Sequence, residues 1–122
     1  MLESYKELIV WKKSIQLVKI IYRITSEFPK TEIYGMISQM RRASISIPSN
    51  IAEGYKRINL GEYIQFLGVA DASAAELETQ LIIAKELYPN VDYVEAEVLL
   101  AEIQKMLFSL ITKLKTNRQT KP

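Results

Sequence analysis

The sequence predicts an all-α fold, an up-down-up-down antiparallel four-helix bundle whose second helix is kinked at Pro48. Three observations carry this expectation. Apolar residues recur at spacings of three and four through four long segments. The breaks between segments are short and fall at proline or asparagine, which makes successive helices antiparallel neighbours. No segment holds the period of two that a half-buried strand needs, and the apolar IVWK and LIIA runs each lie inside a longer helical period. With 122 residues, 48% of them apolar and 25% charged, residues 1–122 suit one globular domain with one modest core.

The first helix is predicted from Ser4 to Glu27. Leu8, Trp11, Ile15, Val18, Tyr22 and Thr25 form its main apolar line, with Leu17, Ile20, Ile21 and Ile24 in a second line beside it. That face is too wide for one neighbour and predicts burial on two sides. Ser4 followed by Glu7 resembles a capping box. Pro29 disfavours helical geometry at Phe28 and ends the helix, and Thr31 is the expected N-cap of the next.

The second helix is predicted from Glu32 to Gly54. Ile33, Ile37, Met40, Ser44, Ile47 and Ile51 keep the helical period straight through Pro48. Pro48 therefore bends the helix, leaving the Ser44 carbonyl without its usual donor, a need that water or the Ser44 or Ser49 hydroxyl can meet. The alternative is two helices meeting at Ile47-Pro48. Asn59 caps a third helix, Leu60 to Leu87, whose stripe runs from Tyr63 to Leu87 and whose middle, GVADASAAELE, admits a close neighbour. Pro89-Asn90 turns the chain into a fourth helix, Val91 to Lys115, with Val94, Val98, Ala101, Leu107, Leu110, Ile111 and Leu114 inward. Residues 116–122 are polar, lack periodicity and are expected to fray.

Composition excludes whole classes of chemistry. Without cysteine or histidine there is no disulfide, thiol nucleophile, His/Cys zinc site or Ser-His-Asp triad. The Glu-x-x-His pairs that hold two metals inside helical bundles are missing too. Glu53, Glu62, Glu76 and Glu78 leave at most an oxygen-only site for a hard cation, and Glu76 and Glu78, two residues apart, do not share a helix face. Glycines 35, 54, 61 and 68 are too dispersed for a phosphate-binding loop. The expectation is a protein that is not an enzyme and has no catalytic residue, no cofactor and no metal. No apolar run reaches the roughly 18 residues of a membrane span, and the N-terminus lacks a basic leader and cleavage site, so a cytoplasmic location follows by default.

The net charge of +2 hides a partition. Residues 1–61 carry +5, residues 62–102 carry −8 with Lys85 their only base, and residues 103–122 carry +5. Such blocks steer a partner or align subunits, or simply pair basic helices with an acidic one. Arg41, Arg42, Lys56 and Arg57 form the candidate phosphate-contacting patch, with Arg41 and Arg42 about 100° apart so that one can pair with a carboxylate such as Glu53 or Glu78. Lys12, Lys13, Lys19 and Arg23 make a second basic strip, and Lys113, Lys115, Arg118 and Lys121 a third. Trp11 is read as packing, its indole stacking on Tyr5 or supporting the C-terminus of another helix, and the tyrosines suit helix ends or subunit boundaries.

The stretch Phe28 to Gly54, FPKTEIYGMISQMRRASISIPSNIAEG, resembles the signature of a bacterial four-helix-bundle family that includes proteins encoded in intervening sequences of 23S ribosomal RNA genes. The stretch Phe66 to Leu87, FLGVADASAAELETQLIIAKEL, resembles that family's second block, and Trp11 stands where its first helix carries tryptophan. Arg41, Arg42, Pro48, Ser49, Asn50, Glu53 and Gly54 match the central motif, and Glu76, Glu78, Thr79 and Gln80 the later one. Met36 and Met40 stand where leucine is common. The resemblance implies a bundle that assembles into a homo-oligomeric ring, typically a pentamer, with no established biochemical activity in most members. A related accessory protein of diversity-generating retroelements is a basic pentamer that binds nucleic acid and a reverse transcriptase. Two readings of function follow: a nonenzymatic oligomer that contacts RNA or DNA through phosphates, or a scaffolding module for a protein partner without nucleic-acid binding. In both, Ser49, Asn50, Glu53, Glu76 and Glu78 form a polar motif.

Overall fold

The computed structural model describes residues 4–120, with side chains described to residue 117. It contains four α-helices and, among the described residues, no strand: α1 Ile9–Thr25, α2 Met36–Tyr55, α3 Leu60–Leu87 and α4 Val94–Thr120. Each helix touches its two neighbours in the cycle α1–α2–α3–α4, and the diagonal pairs do not meet. Cross-helix partners run in opposite senses along every neighbouring pair. Tyr5 meets Tyr55 while Arg41 reaches Tyr22, and Lys13 and Arg23 reach Glu102 and Glu95. Lys85 and Glu78 of α3 meet Glu97 and Gln104 of α4.

Helix ends follow local chemistry, with some departures from expectation. The Ser4–Glu7 capping box forms, but it heads a separate 3-10 turn, Tyr5–Glu7, because Leu8 is extended and α1 starts only at Ile9. Thr31 is not the cap of α2. Residues Lys30–Glu32 make another 3-10 turn, and the Glu32 carboxylate accepts from the Met36 amide at 3.3 Å. The Tyr88 hydroxyl donates to the other Glu32 oxygen, which ties the exit of α3 to the entry of α2. This bond, more than burial, holds the Tyr88 proton on and raises its pKa. Asn59 caps α3 as expected, its side chain accepting from the Glu62 amide. Asp92 serves the start of α4, which begins three residues later than predicted and continues past Lys115 to Thr120. Residues 121–122, the end of the segment expected to fray, lie outside the described residues.

Helix α2 runs unbroken through Pro48, so two helices do not meet there. The Ser44 hydroxyl donates to the Arg41 carbonyl at 2.8 Å, so it does not serve its own carbonyl.

The core is built from Leu17, Ile21, Ile24, Met40, Ile47, Ile51, Leu67, Leu77, Ile103 and Leu107. In α1 the second apolar line is therefore the buried one. Of the main predicted line only Thr25 is buried; Trp11, Ile15 and Val18 are half-buried and Tyr22 is exposed. In α4 the inward positions are Ala96, Leu100, Ile103 and Leu107, whereas Val94, Val98 and Ala101 face outward. Both shifts have one cause: these helices carry apolar residues on more than one face, so periodicity alone cannot choose the side the bundle buries.

The α2–α3 interface is the most extensive. Ala43, Ser46 and Ser73 are small residues at this seam, which lets the two backbones approach. The limit is reached at Gly54, where an added Cβ would sit 2.7 Å from the Phe66 Cβ and 3.3 Å from the Tyr63 carbonyl oxygen. Around this contact the rings of Trp11, Tyr5, Tyr55 and Tyr63 form an edge-to-face chain with centroid spacings of 5.5, 6.5 and 5.9 Å. Trp11 thus packs on Tyr5, as the sequence suggested. Burial, and secondarily Tyr55, pushes the Tyr63 hydroxyl up to about 12.

Replacing Gly54 with alanine is expected to cost about 1–3 kcal/mol, read from urea unfolding, because neither backbone nor Phe66 Cβ can move aside cheaply. An unchanged midpoint contradicts the close approach. Neutral Tyr63 contributes stability that is complete below pH 10 and lost as pH rises through about 12. Tyr63→Phe, with no proton to lose, should retain part of the alkaline stability that the unmodified chain gives up over that interval. Coincident pH–stability curves above pH 10 would refute this assignment.

Candidate functional site

The four arginine and lysine positions singled out in α2 and the loop after it do not form one patch. Arg41 and Arg42 lie about 15 residues before Lys56 and Arg57, which along a helix is about 22 Å. Arg41 also does not pair with Glu53 or Glu78. Its Nε donates to the Thr25 hydroxyl at 2.9 Å, its Nη2 reaches the Tyr22 carbonyl at 3.4 Å, and the guanidinium lies 4.3 Å from the Tyr22 ring centroid. This places a cation on the carbonyl end of α1, where the helix dipole favours it. Arg41 is thereby a clamp between α1 and α2. Arg42 points to the opposite side, beside Ala43, Ser46 and Glu76 in a shallow cleft between α2 and α3.

The polar motif residues are spread over three places. Asn50 donates to the carbonyl and hydroxyl of Ser46 at 2.8 and 2.9 Å, and the Ser46 and Ser73 hydroxyls share a 2.8 Å hydrogen bond across the α2–α3 seam. Ser49 faces the other way, into the α1–α2 groove with Trp11 and Ile45. Glu76 accepts from Gln80 at 3.5 Å on the α2 side of α3, whereas Glu78 accepts from Gln104 at 3.4 Å on the α4 side. Glu53 lies 3.8 Å from Arg57. Among the described residues no group of three potential ligands is placed to hold a metal ion. Glu78 bonds between helices, whereas Asn50, Glu53 and Glu76 bond along their own.

Lys56 and Arg57 belong to a different constellation. The Gly54 contact sets the end of α2 against the first turns of α3, and Arg57 stacks 4.6 Å from the Phe66 ring centroid. Lys56 borders a depression with Ser4, Tyr5 and Tyr55. Because α4 runs antiparallel to α3, its last turns bring Lys113 and Lys115 to this same end, joined by Lys6 and Lys12 from the start of the chain. Residues 4–12, 53–66 and 108–117 together hold six basic groups against three acidic ones. The far end, residues 22–36 and 82–98, holds three basic against six acidic. The bundle is therefore polarised along its axis, with a chain of aromatic side chains at the basic pole.

Half of the second basic strip is neutralised, since Lys13 pairs with Glu102 and Arg23 with Glu95 at 2.6 Å, while Lys12 and Lys19 form no ion pair among the described residues. Of the third, Lys113 and Lys115 are exposed, the Arg118 side chain is not described, and Lys121 lies outside the described residues. Sequence reasoning missed the convergence of Lys6, Lys56, Arg57, Lys113 and Lys115. The antiparallel topology it predicted, applied to helix lengths, carried the signal.

No helix among the described residues is long and apolar enough to cross a membrane. No curated protein matches the chain significantly. A solved crystal structure is similar: a protein of unknown function from the S23 ribosomal protein family of Bacteroides thetaiotaomicron VPI-5482 matches with a TM-score of 0.72 at 25% sequence identity. The match covers 84% of this chain and 98% of that one. Residues 6–109, spanning all of α1, α2 and α3 and more than half of α4, match the family described as 23S rRNA-intervening sequence protein, and the chain belongs to that family.

Proposed function

We propose that the protein is a nonenzymatic, self-associating helical bundle that holds RNA or DNA through phosphate contacts at its basic pole. The observation that carries this reading is the gathering of Lys6, Lys56, Arg57, Lys113 and Lys115, all exposed, around one end. Such contacts bind by neutralising phosphates and releasing counterions, with little reading of base sequence. The family's description, and the S23 ribosomal protein family of the similar structure, make 23S ribosomal RNA the first ligand to test. The nonenzymatic part rests on the absence of histidine and cysteine and on polar motif residues engaged in bonds between and along helices.

Self-association rests on apolar surface left outside the core. Val69, Ile82 and Ile83 of α3 and Val94, Val98 and Phe108 of α4 are exposed, Phe108 at 72%. So much apolar area on one small chain suits burial between copies, in a ring of five as the family resemblance implies. The same surface supports the second reading, a scaffold that displays contacts to a protein partner. A cytoplasmic location accords with either.

Replacing Lys56, Arg57, Lys113 and Lys115 together with glutamine should weaken binding to a 23S rRNA fragment about tenfold or more at low salt. It should also flatten the dependence of log affinity on log salt by up to about 3 to 4, since each lost phosphate contact removes nearly one unit. Arg41→Gln should instead lower stability while leaving the affinity of the folded protein unchanged. Equal affinities for the fourfold variant and the unmodified chain, or no binding by either, would defeat the nucleic-acid reading.

A further inference from the structure

Two surfaces of the bundle carry opposite charge beside apolar or small side chains. One is the groove between α1 and α2, lined by Trp11, Ile15, Val18, Ile45, Pro48 and Ala52. Lys12 and Lys19 stand along its α1 edge, both exposed, and neither forms an ion pair among the described residues. The other is the outward ridge of α3, where Ala72, Ala75 and Thr79 are exposed between Val69 and Ile83. Asp71 and Glu78 stand along one edge of that ridge, again exposed and without a cationic partner among the described residues.

The spacing of the charges agrees. Lys12 and Lys19 are seven residues apart, as are Asp71 and Glu78, so each pair spans about 10.5 Å along its helix. Small side chains on the ridge let a helix backbone approach, and the half-buried rings and branched chains of the groove offer the apolar floor such a ridge would cover. A single chain cannot bring the two together, because α1 and α3 are diagonal in the bundle and do not touch. A second copy can.

We propose that the α1–α2 groove of one copy receives the α3 ridge of the next, with Lys12 and Lys19 facing Asp71 and Glu78. The inference rests on the self-association put forward above and specifies its interface. Because groove and ridge are different surfaces, the contact is head-to-tail, and an open assembly keeps one free groove and one free ridge at its ends until it closes on itself. Opposite charges fix which copy-to-copy orientation forms, and the apolar floor supplies the affinity.

Charge reversal tests it. Lys12→Glu with Lys19→Glu should reduce the mass seen by light scattering to that of a single chain, 14.0 kDa, at a concentration where the unmodified protein assembles. Asp71→Lys with Glu78→Lys should do the same. Mixing these two variants should raise the mass above 14.0 kDa, in open or even-numbered assemblies where the two alternate, because each supplies the surface that the other needs. A second arm uses the absence of native cysteine: Ile45→Cys and Ala72→Cys chains should cross-link through a short bis-maleimide when mixed, and neither should cross-link alone. Charge-reversed chains that stay helical and assemble like the unmodified one, or cross-linking by either cysteine variant alone, overturn this interface while self-association stands. An unmodified chain that is monomeric overturns self-association and the interface with it.

Discussion

The approach of α2 to α3 is the constraint on which the rest of the molecule depends. Gly54 has no side chain because Phe66 and the Tyr63 carbonyl occupy the space that a Cβ would need. The small residues Ser46 and Ser73 keep the same seam narrow, and their two hydroxyls satisfy each other across it. The contact fixes where the end of α2 lies, and so where Lys56 and Arg57 project. It also seats Tyr55 against Tyr63, which orders the aromatic chain back to Trp11. A bundle with a looser seam would separate the loop after α2 from the first turns of α3. The basic pole would then lose its central pair.

A second set of interactions secures the opposite pole. Arg41 holds the carbonyl end of α1, and the Tyr93 hydroxyl lies 3.1 and 2.9 Å from the carbonyls of Ala84 and Tyr88 at the end of α3. Both supply donors to helix ends that would otherwise leave carbonyls unmet. Arginine thus has a different duty at each pole: at one it completes a helix, at the other it stays exposed. That division explains why two arginine-containing pairs in the same segment cannot be treated as one binding surface. Net charge is equally uninformative here, since a balance of +2 coexists with a separation of opposite charge along the bundle.

How much was legible in the sequence depended on whether a feature was local. The bounds of α3 were readable in full, because Asn59 caps one end and Leu87 is the last apolar residue before Pro89-Asn90. The Ser4–Glu7 box was readable as a cap, but four residues cannot say whether the chain stays helical afterward, and Leu8 does not. Which apolar line of α1 or α4 enters the core was not readable, because both helices are apolar on more than one side. The partner of Arg41 is a hydroxyl and a carbonyl sixteen and nineteen residues away, and no local spacing encodes such a contact. By contrast, the distance between Arg42 and Lys56 follows from helical rise alone. The polar motif was visible as a set of residue types, but its division among three surfaces needed the packing of α3 against both α2 and α4.

Close packing at Gly54 sets Lys56 and Arg57 at the basic pole, the surface proposed to contact phosphates. Amide chemical-shift mapping with a short fragment of 23S ribosomal RNA tests it most directly. The account predicts perturbations concentrated in residues 4–7, 55–66 and 112–117, with little change near Arg41 and Arg42. Perturbations centred on Arg41 and Arg42, or spread evenly over the bundle, would contradict it.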